Sequence, residues 1–154
     1  MNTPARCVLI DDSQLDNMIA KKMLSRVAPN AEIVVFTDPN KALSYLQFEL
    51  PLNTNKTAIF LDINMPLMNG LETLEHMKLH PDLSGIPVLI LSTSGDALSV
   101  NLARSMGADG YLVKPFGCSA LEGCLRQALS VDFSVRRSDR TRSFLYIPFR
   151  PDPV

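Results

Sequence analysis

Five times along this chain a short apolar run gives way to a longer segment with apolar residues at helical spacing. The runs are Cys7–Ile10, Ile33–Phe36, Ala58–Leu61, Pro87–Leu91 and Tyr111–Val113. Each is too short for a helix and reads as a strand buried on both faces. After the first come Leu15, Met18, Ile19, Met23 and Leu24, one face of a helix. Ser13 or Asp12 is placed to cap it, and Asp38 followed by Pro39 opens the second helix. Leu71, Leu74 and Met77 mark a third helix, 97–106 a fourth that stops at Gly107, and 119–130 a fifth. Strict alternation of strand and helix leaves few solutions. A parallel sheet with helices on both faces and right-handed crossovers is expected.

Length and composition agree with that reading. The chain has 154 residues, enough for one core with a short appendage, and 46% of them are hydrophobic. A net charge of -1 argues against a general nucleic-acid surface. No apolar run approaches the ~20 residues that cross a bilayer, and the first ten residues lack a secretory apolar stretch. The expectation is a cytoplasmic protein. Cys7, Cys118 and Cys124 are odd in number and widely spaced, which suits neither a disulfide framework nor a zinc site. His76 and His80 lie four apart on the third helix with no third ligand near them, and read as surface histidines.

In an open parallel sheet, ligands bind beyond the carboxyl ends of the strands. The residues that follow the apolar runs are therefore the ones to inspect. Asp11 and Asp12 follow the first, Asp62 the third, Ser92 with Thr93 and Ser94 the fourth, and Lys114 with Pro115 the fifth. Any one of these alone would be a turn or cap residue. Together they gather three acids, a hydroxyl cluster and an ammonium on one edge. Two unit charges ~4 Å apart at an effective dielectric of ~20 interact by ~4 kcal/mol. Three carboxylates so placed invite a hard divalent cation such as Mg²⁺. An aspartate beside that ion can act as a nucleophile toward a phosphoryl group, with hydroxyl and ammonium on its oxygens.

The pieces "LIDDSQLD", "FLDINMPLMNG", "PVLILSTS" and "GADGYLVKP" closely resemble the receiver domain of two-component response regulators, and the similarity covers about residues 5–130. The resemblance implies a flavodoxin-like, doubly wound α/β fold with five parallel strands in the order 2-1-3-4-5 and five helices. It implies a catalytic set of Asp62 as phospho-acceptor with Lys114 and Ser92 on the phosphoryl oxygens. It implies Mg²⁺ (or Mn²⁺) held by Asp12, Asp62 and the backbone carbonyl of Asn64, with Asp11 acting through water. Ser92 and Tyr111 would be switch residues, Tyr111 turning inward on activation, and Lys114–Pro115 would be a cis peptide. Asn64 and Ser94 would influence loss of the phosphate. Pro66 would stiffen the loop after Asp62, and Gly70 would permit the turn into the next helix.

The function so implied is that of a stand-alone receiver rather than an enzyme. A histidine kinase or histidine phosphotransfer protein would donate to Asp62. A downstream protein would read the face made by helix 4, strand 5 and helix 5, with no membrane partner. The principal rival is an aspartyl-nucleophile phosphatase. Such enzymes resemble this pattern but carry a second Asp where this chain has Asn64. Residues 131–154 form an extension too short for a core of its own. Its five arginines and three aspartates read as a solvated arm. Its "SFLYIPF" is apolar enough for an edge strand or for a homodimer contact.

Overall fold

The computed structural model describes all residues except 1–3, 50–55, 65–69, 132–142 and 150–154. Strand β1 (Arg6–Ile10) is followed by α1 (Gln14–Val27), β2 (Glu32–Phe36), α2 (Pro39–Ser44) and a π-helical turn (Tyr45–Glu49). Next come β3 (Thr57–Leu61), α3 (Gly70–Leu79), β4 (Val88–Ser92), α4 (Ala97–Ser105), β5 (Gly110–Val113) and α5 (Cys118–Leu129). A last short strand, β6, spans Leu145–Ile147. The sheet order is β2-β1-β3-β4-β5-β6, with every pair parallel.

The expected order therefore holds, but the expected five strands become six. β6 comes from the C-terminal extension and pairs Gly110 with Leu145 and Leu112 with Ile147. Its origin is physical: β5 would otherwise present an unpaired backbone edge, and an apolar segment lies within reach to cover it. Ile147 is buried in the process.

Side chains alternate across the sheet with the two-residue period of a strand. Val8, Ile10, Ile59, Leu61, Val88 and Ile90 face a layer completed by Leu74 and Met77 of α3 and Ala103 of α4. Cys7, Leu9, Ala58, Phe60, Leu89 and Leu91 face α1 and α5 through Met23, Leu24, Leu121 and Leu125. β3 and β4 are buried at every position, so neither has room for a charge except beyond its ends. Burial pushes the Cys7 thiol up to about 12, which keeps it an inert core group.

The helix ends follow the local chemistry. The Ser13 hydroxyl accepts from the Asp16 backbone N–H at 3.2 Å and caps α1. The Asp38 carboxylate accepts from the Asn40 N–H at 2.9 Å, with Pro39 in the first turn of α2. At the amino ends of the strands Lys78 donates to Asp109 at 3.1 Å and to the Ile86 carbonyl at 3.0 Å. The Asp109 carboxylate also accepts the Val88 N–H at 2.9 Å, tying α3 to β4 and β5 away from the acids.

Gly70 has a different reason from the turn freedom expected of it. A Cβ there would lie 2.2 Å from the Asp62 carbonyl oxygen and 2.3 Å from the Ile63 Cα. α3 can start beside the end of β3 only because residue 70 has no side chain. The stiffening expected of Pro66 falls outside the described residues. Gly85, by contrast, has open space around its Cα. Gly70→Ala should destabilise the fold by about 3 kcal/mol through this backbone overlap, while Gly85→Ala should stay within about 0.5 kcal/mol of the parent. Urea unfolding followed by circular dichroism measures both; equal stability of the two variants would contradict the close approach.

Candidate functional site

Parallel strands align their carboxyl ends, and the polar residues that follow them converge there. The Asp62 N–H donates to the Ile10 carbonyl at 2.9 Å, which sets the end of β3 against the end of β1. Carboxylate oxygens of Asp11, Asp12 and Asp62 consequently lie within 4.8 Å of one another. Asp11 and Asp62 are buried, and Asp12 is exposed at the mouth.

Each buried acid is partly satisfied. One Asp11 oxygen accepts the Ser13 N–H at 3.0 Å, and the other accepts Lys114 Nζ at 2.7 Å. Lys114 also reaches Asp16 at 3.4 Å, on the first turn of α1. One Asp62 oxygen accepts the Asn64 N–H at 3.1 Å. The lysine thus belongs to Asp11 in this state. Burial pulls its ammonium down, but the bond to Asp11 and the fields of Asp11, Asp62 and Asp16 outweigh that and hold it protonated above the ordinary lysine range.

Asp62 carries the strain of the cluster. Burial, opposed by the Asn64 N–H and assisted by the neighbouring Asp11 charge, pushes its carboxyl up to about 6. A group in that condition gains most from a cation among the acids. Three carboxylate oxygens at this spacing suit Mg²⁺ or Mn²⁺, hard ions that accept oxygen donors and retain water. The donor set fits the expected ion, with Asp12 offering an exposed oxygen and Asp62 a buried one, while the Asp11 oxygens, engaged by Ser13 and Lys114, suit contact through water.

A second row of contacts runs from the acids to β4 and β5. Ser92 is wholly buried, and its hydroxyl accepts from Asn64 Nδ2 at 3.1 Å and from the Ser94 N–H at 3.2 Å. Ser94 is tied in turn to Asp96, the cap of α4, through their side chains. The Ser94 carbonyl accepts the Tyr111 hydroxyl at 2.5 Å. The Tyr111 ring is fully buried in the apolar layer beneath α4. The ring thus lies inward in this structure. With its hydroxyl satisfied by a backbone carbonyl, the buried position costs little.

The expected cis peptide at Lys114–Pro115 is corrected: that bond is trans, and no cis bond occurs among the described residues. Trans is the ordinary state of X–Pro, favoured by ~0.5–1 kcal/mol.

Two site residues escaped the reading from sequence. Asn17 is buried on α1, where Nδ2 donates to the Asp11 carbonyl at 2.7 Å and to the Phe36 carbonyl at 3.2 Å. It locks the backbone of Asp11 against β2. Asp16 shares Lys114. A polar residue at an otherwise apolar helical position was the available signal for Asn17.

Three comparisons bear on the chain's relationships. A family model, the response regulator receiver domain, matches residues 7–126. Response regulator Rcp1 of Synechocystis sp. is 30% identical over 115 residues, 73% of this chain and 78% of Rcp1. The nitrate/nitrite response regulator protein NarL of Escherichia coli is 36% identical over 126 residues, 81% of this chain but only 55% of NarL. The Mn²⁺-bound form of Rcp1 superposes with a TM-score of 0.69 at 28% identity, covering 82% of this chain and 93% of that one. The phosphorylated cyanobacterial phytochrome response regulator RcpA gives 0.71 at 26%, covering 82% and 91%.

The raised Asp62 pKa has a consequence for stability. Between about 4 and about 6 the folded protein holds a proton that the unfolded chain, with its ordinary value of 3.8, has released. Without metal, stability is therefore greatest below about pH 4 as far as this group is concerned, and it falls as pH rises through about 6. Asp62→Asn removes that dependence. At pH 7.5 in a chelator the variant should be more stable than the parent by on the order of 1–2 kcal/mol, and the gap should close toward pH 4. Chemical denaturation at several pH values tests this; a variant less stable at pH 7.5 would contradict it.

Proposed function

The chain belongs to the response regulator receiver family, and on that premise we propose that Asp62 accepts a phosphoryl group from a phosphohistidine of a histidine kinase or phosphotransfer protein. The observation that carries this reading is the position of Asp62: buried, clustered with Asp11 and Asp12, with Asn64 bonded to both Asp62 and Ser92 and Lys114 bonded to Asp11. A Mg²⁺ or Mn²⁺ held by Asp12, Asp62 and the Asn64 carbonyl, with Asp11 through water, would neutralise charge on the phosphoryl oxygens.

In the transfer an Asp62 oxygen forms a bond to phosphorus as the phosphorus–nitrogen bond of the donor breaks, and the electron pair returns to the imidazole. The acceptor oxygen must be unprotonated, and the neighbouring cationic groups favour that form. The Asn64 N–H fixes one carboxylate oxygen and so leaves the other to react. Lys114 exchanges its bond to Asp11 for one to a phosphoryl oxygen, a short move for a long flexible side chain. Ser92 donates its hydroxyl proton to the same group and shifts its oxygen toward it. That shift stretches the bonds its oxygen now accepts from Asn64 Nδ2 and the Ser94 N–H. The reorganised loop between β4 and α4 biases the face formed by α4, β5 and α5, where a downstream protein reads the state.

A rival role as a general phosphatase lacks the second aspartate, since Asn64 stands two residues after Asp62. Acetyl phosphate with Mg²⁺ should place one phosphoryl group on the protein, lost in Asp62→Asn and reduced at least ~10²-fold in rate in Lys114→Ala. Intact-mass spectrometry over time provides the measurement. Labelling that survives Asp62→Asn would overturn the assignment.

A further inference from the structure

The α4–β5–α5 face is not open in this protein. β6 lies along the free edge of β5, with the Leu145 N–H donating to the Asp109 carbonyl at 3.1 Å and Tyr146 in register with Tyr111. Ile147 is buried among residues of α5. Two aromatic clasps flank the strand. The Arg104 guanidinium of α4 lies 5.6 Å from the Phe144 ring centroid, and Phe149 meets Phe116 edge to face at 5.3 Å. Phe116 is two residues beyond Lys114.

We propose that residues 144–149 are an intramolecular inhibitor of this face: they hold the β5 edge closed in the resting protein and let go when Asp62 is loaded. The inference rests on the function proposed above. Its basis is that each tie of the arm belongs to an element the acid site also grips. Arg104 moves with α4, whose cap Asp96 is bound to Ser94. Ser94 is bound to Ser92 and to Tyr111. Phe116 moves with the segment that carries Lys114. Drawing Ser92 and Lys114 toward a phosphoryl group therefore pulls on the supports of both clasps.

The strand is suited to release. It is three residues long, at the sheet edge, with Tyr146 left 44% exposed. Short edge elements with few buried contacts open at far lower cost than the core. The occupant of the face at rest is the chain itself. A partner of the active state then meets an uncovered backbone edge and binds by adding an extended apolar segment to β5.

Amide hydrogen exchange of residues 143–149 in the full-length protein tests the proposal, with Mg²⁺ alone and with Mg²⁺ plus acetyl phosphate, at two protein concentrations tenfold apart. Intact mass reports how much protein carries the phosphoryl group. The expected result is protection at rest that does not depend on concentration, and exchange at least tenfold faster in the loaded protein. Asp62→Asn should show no acceleration. Fast exchange at rest would overturn the proposal, as would protection that grows with concentration, which would assign the strand to a second copy. Equal protection in protein shown by mass to be loaded would make β6 a permanent strand and also overturn it. A protein that takes up no phosphoryl group would contradict the proposed function, and with it the release.

Discussion

Mutual repulsion of three carboxylates at the end of a buried sheet is the constraint on which the rest of the site depends. Asp11 and Asp62 sit where water is largely excluded and like charge is close, conditions that push the Asp62 carboxyl toward its protonated form. The fold meets that cost in specific ways. Lys114 is held against Asp11 by the end of β5, backbone N–H groups of Ser13 and Asn64 each donate to one acid, and Asn17 fixes the backbone from which Asp11 projects. Of the two buried acids, Asp62 is the less compensated. On the proposed function, a cation or an incoming phosphoryl group bound with one would act on a site already poised to change.

The apolar architecture explains why the chemistry is confined to this edge. With helices on both faces, β3 and β4 bury every side chain along their length. Polar function is possible only where those strands stop, and parallel pairing makes them stop together. The opposite edge carries a different polar group, the Lys78–Asp109 pair with the Val88 N–H, whose bonds are all internal. One end of the sheet is fastened, and the other is left with charges that need a partner.

Much of this was legible in the order of residues. Five apolar runs separated by helical patterns specify the parallel sheet, and Asp11, Asp12, Asp62, Ser92 and Lys114 were identifiable because each lies within two residues of the end of a run. What the sequence could not show came from contacts between distant segments. The apolar "SFLYIPF" admits an edge strand, but only the fold shows that β5 is the edge it covers. Asn17 looks like one more polar residue on a helix until α1 packs beside Phe36. Gly70 looks like a turn residue, whereas it is the approach of the Asp62 backbone that excludes a side chain. The cis form of the Lys114–Pro115 bond was assigned by resemblance, and the structure departs from it: the peptide is trans.

The central claim is that Asp11, Asp12 and Asp62 form a single cation site. Isothermal calorimetry with Mg²⁺ at pH 8 tests it most directly, comparing the parent with Asp12→Asn, which alters an exposed side chain and leaves the buried contacts in place. The account predicts one ion per chain, with affinity at least ~10-fold lower in the variant. Equal affinity in the two proteins, or no binding to the parent, would contradict it.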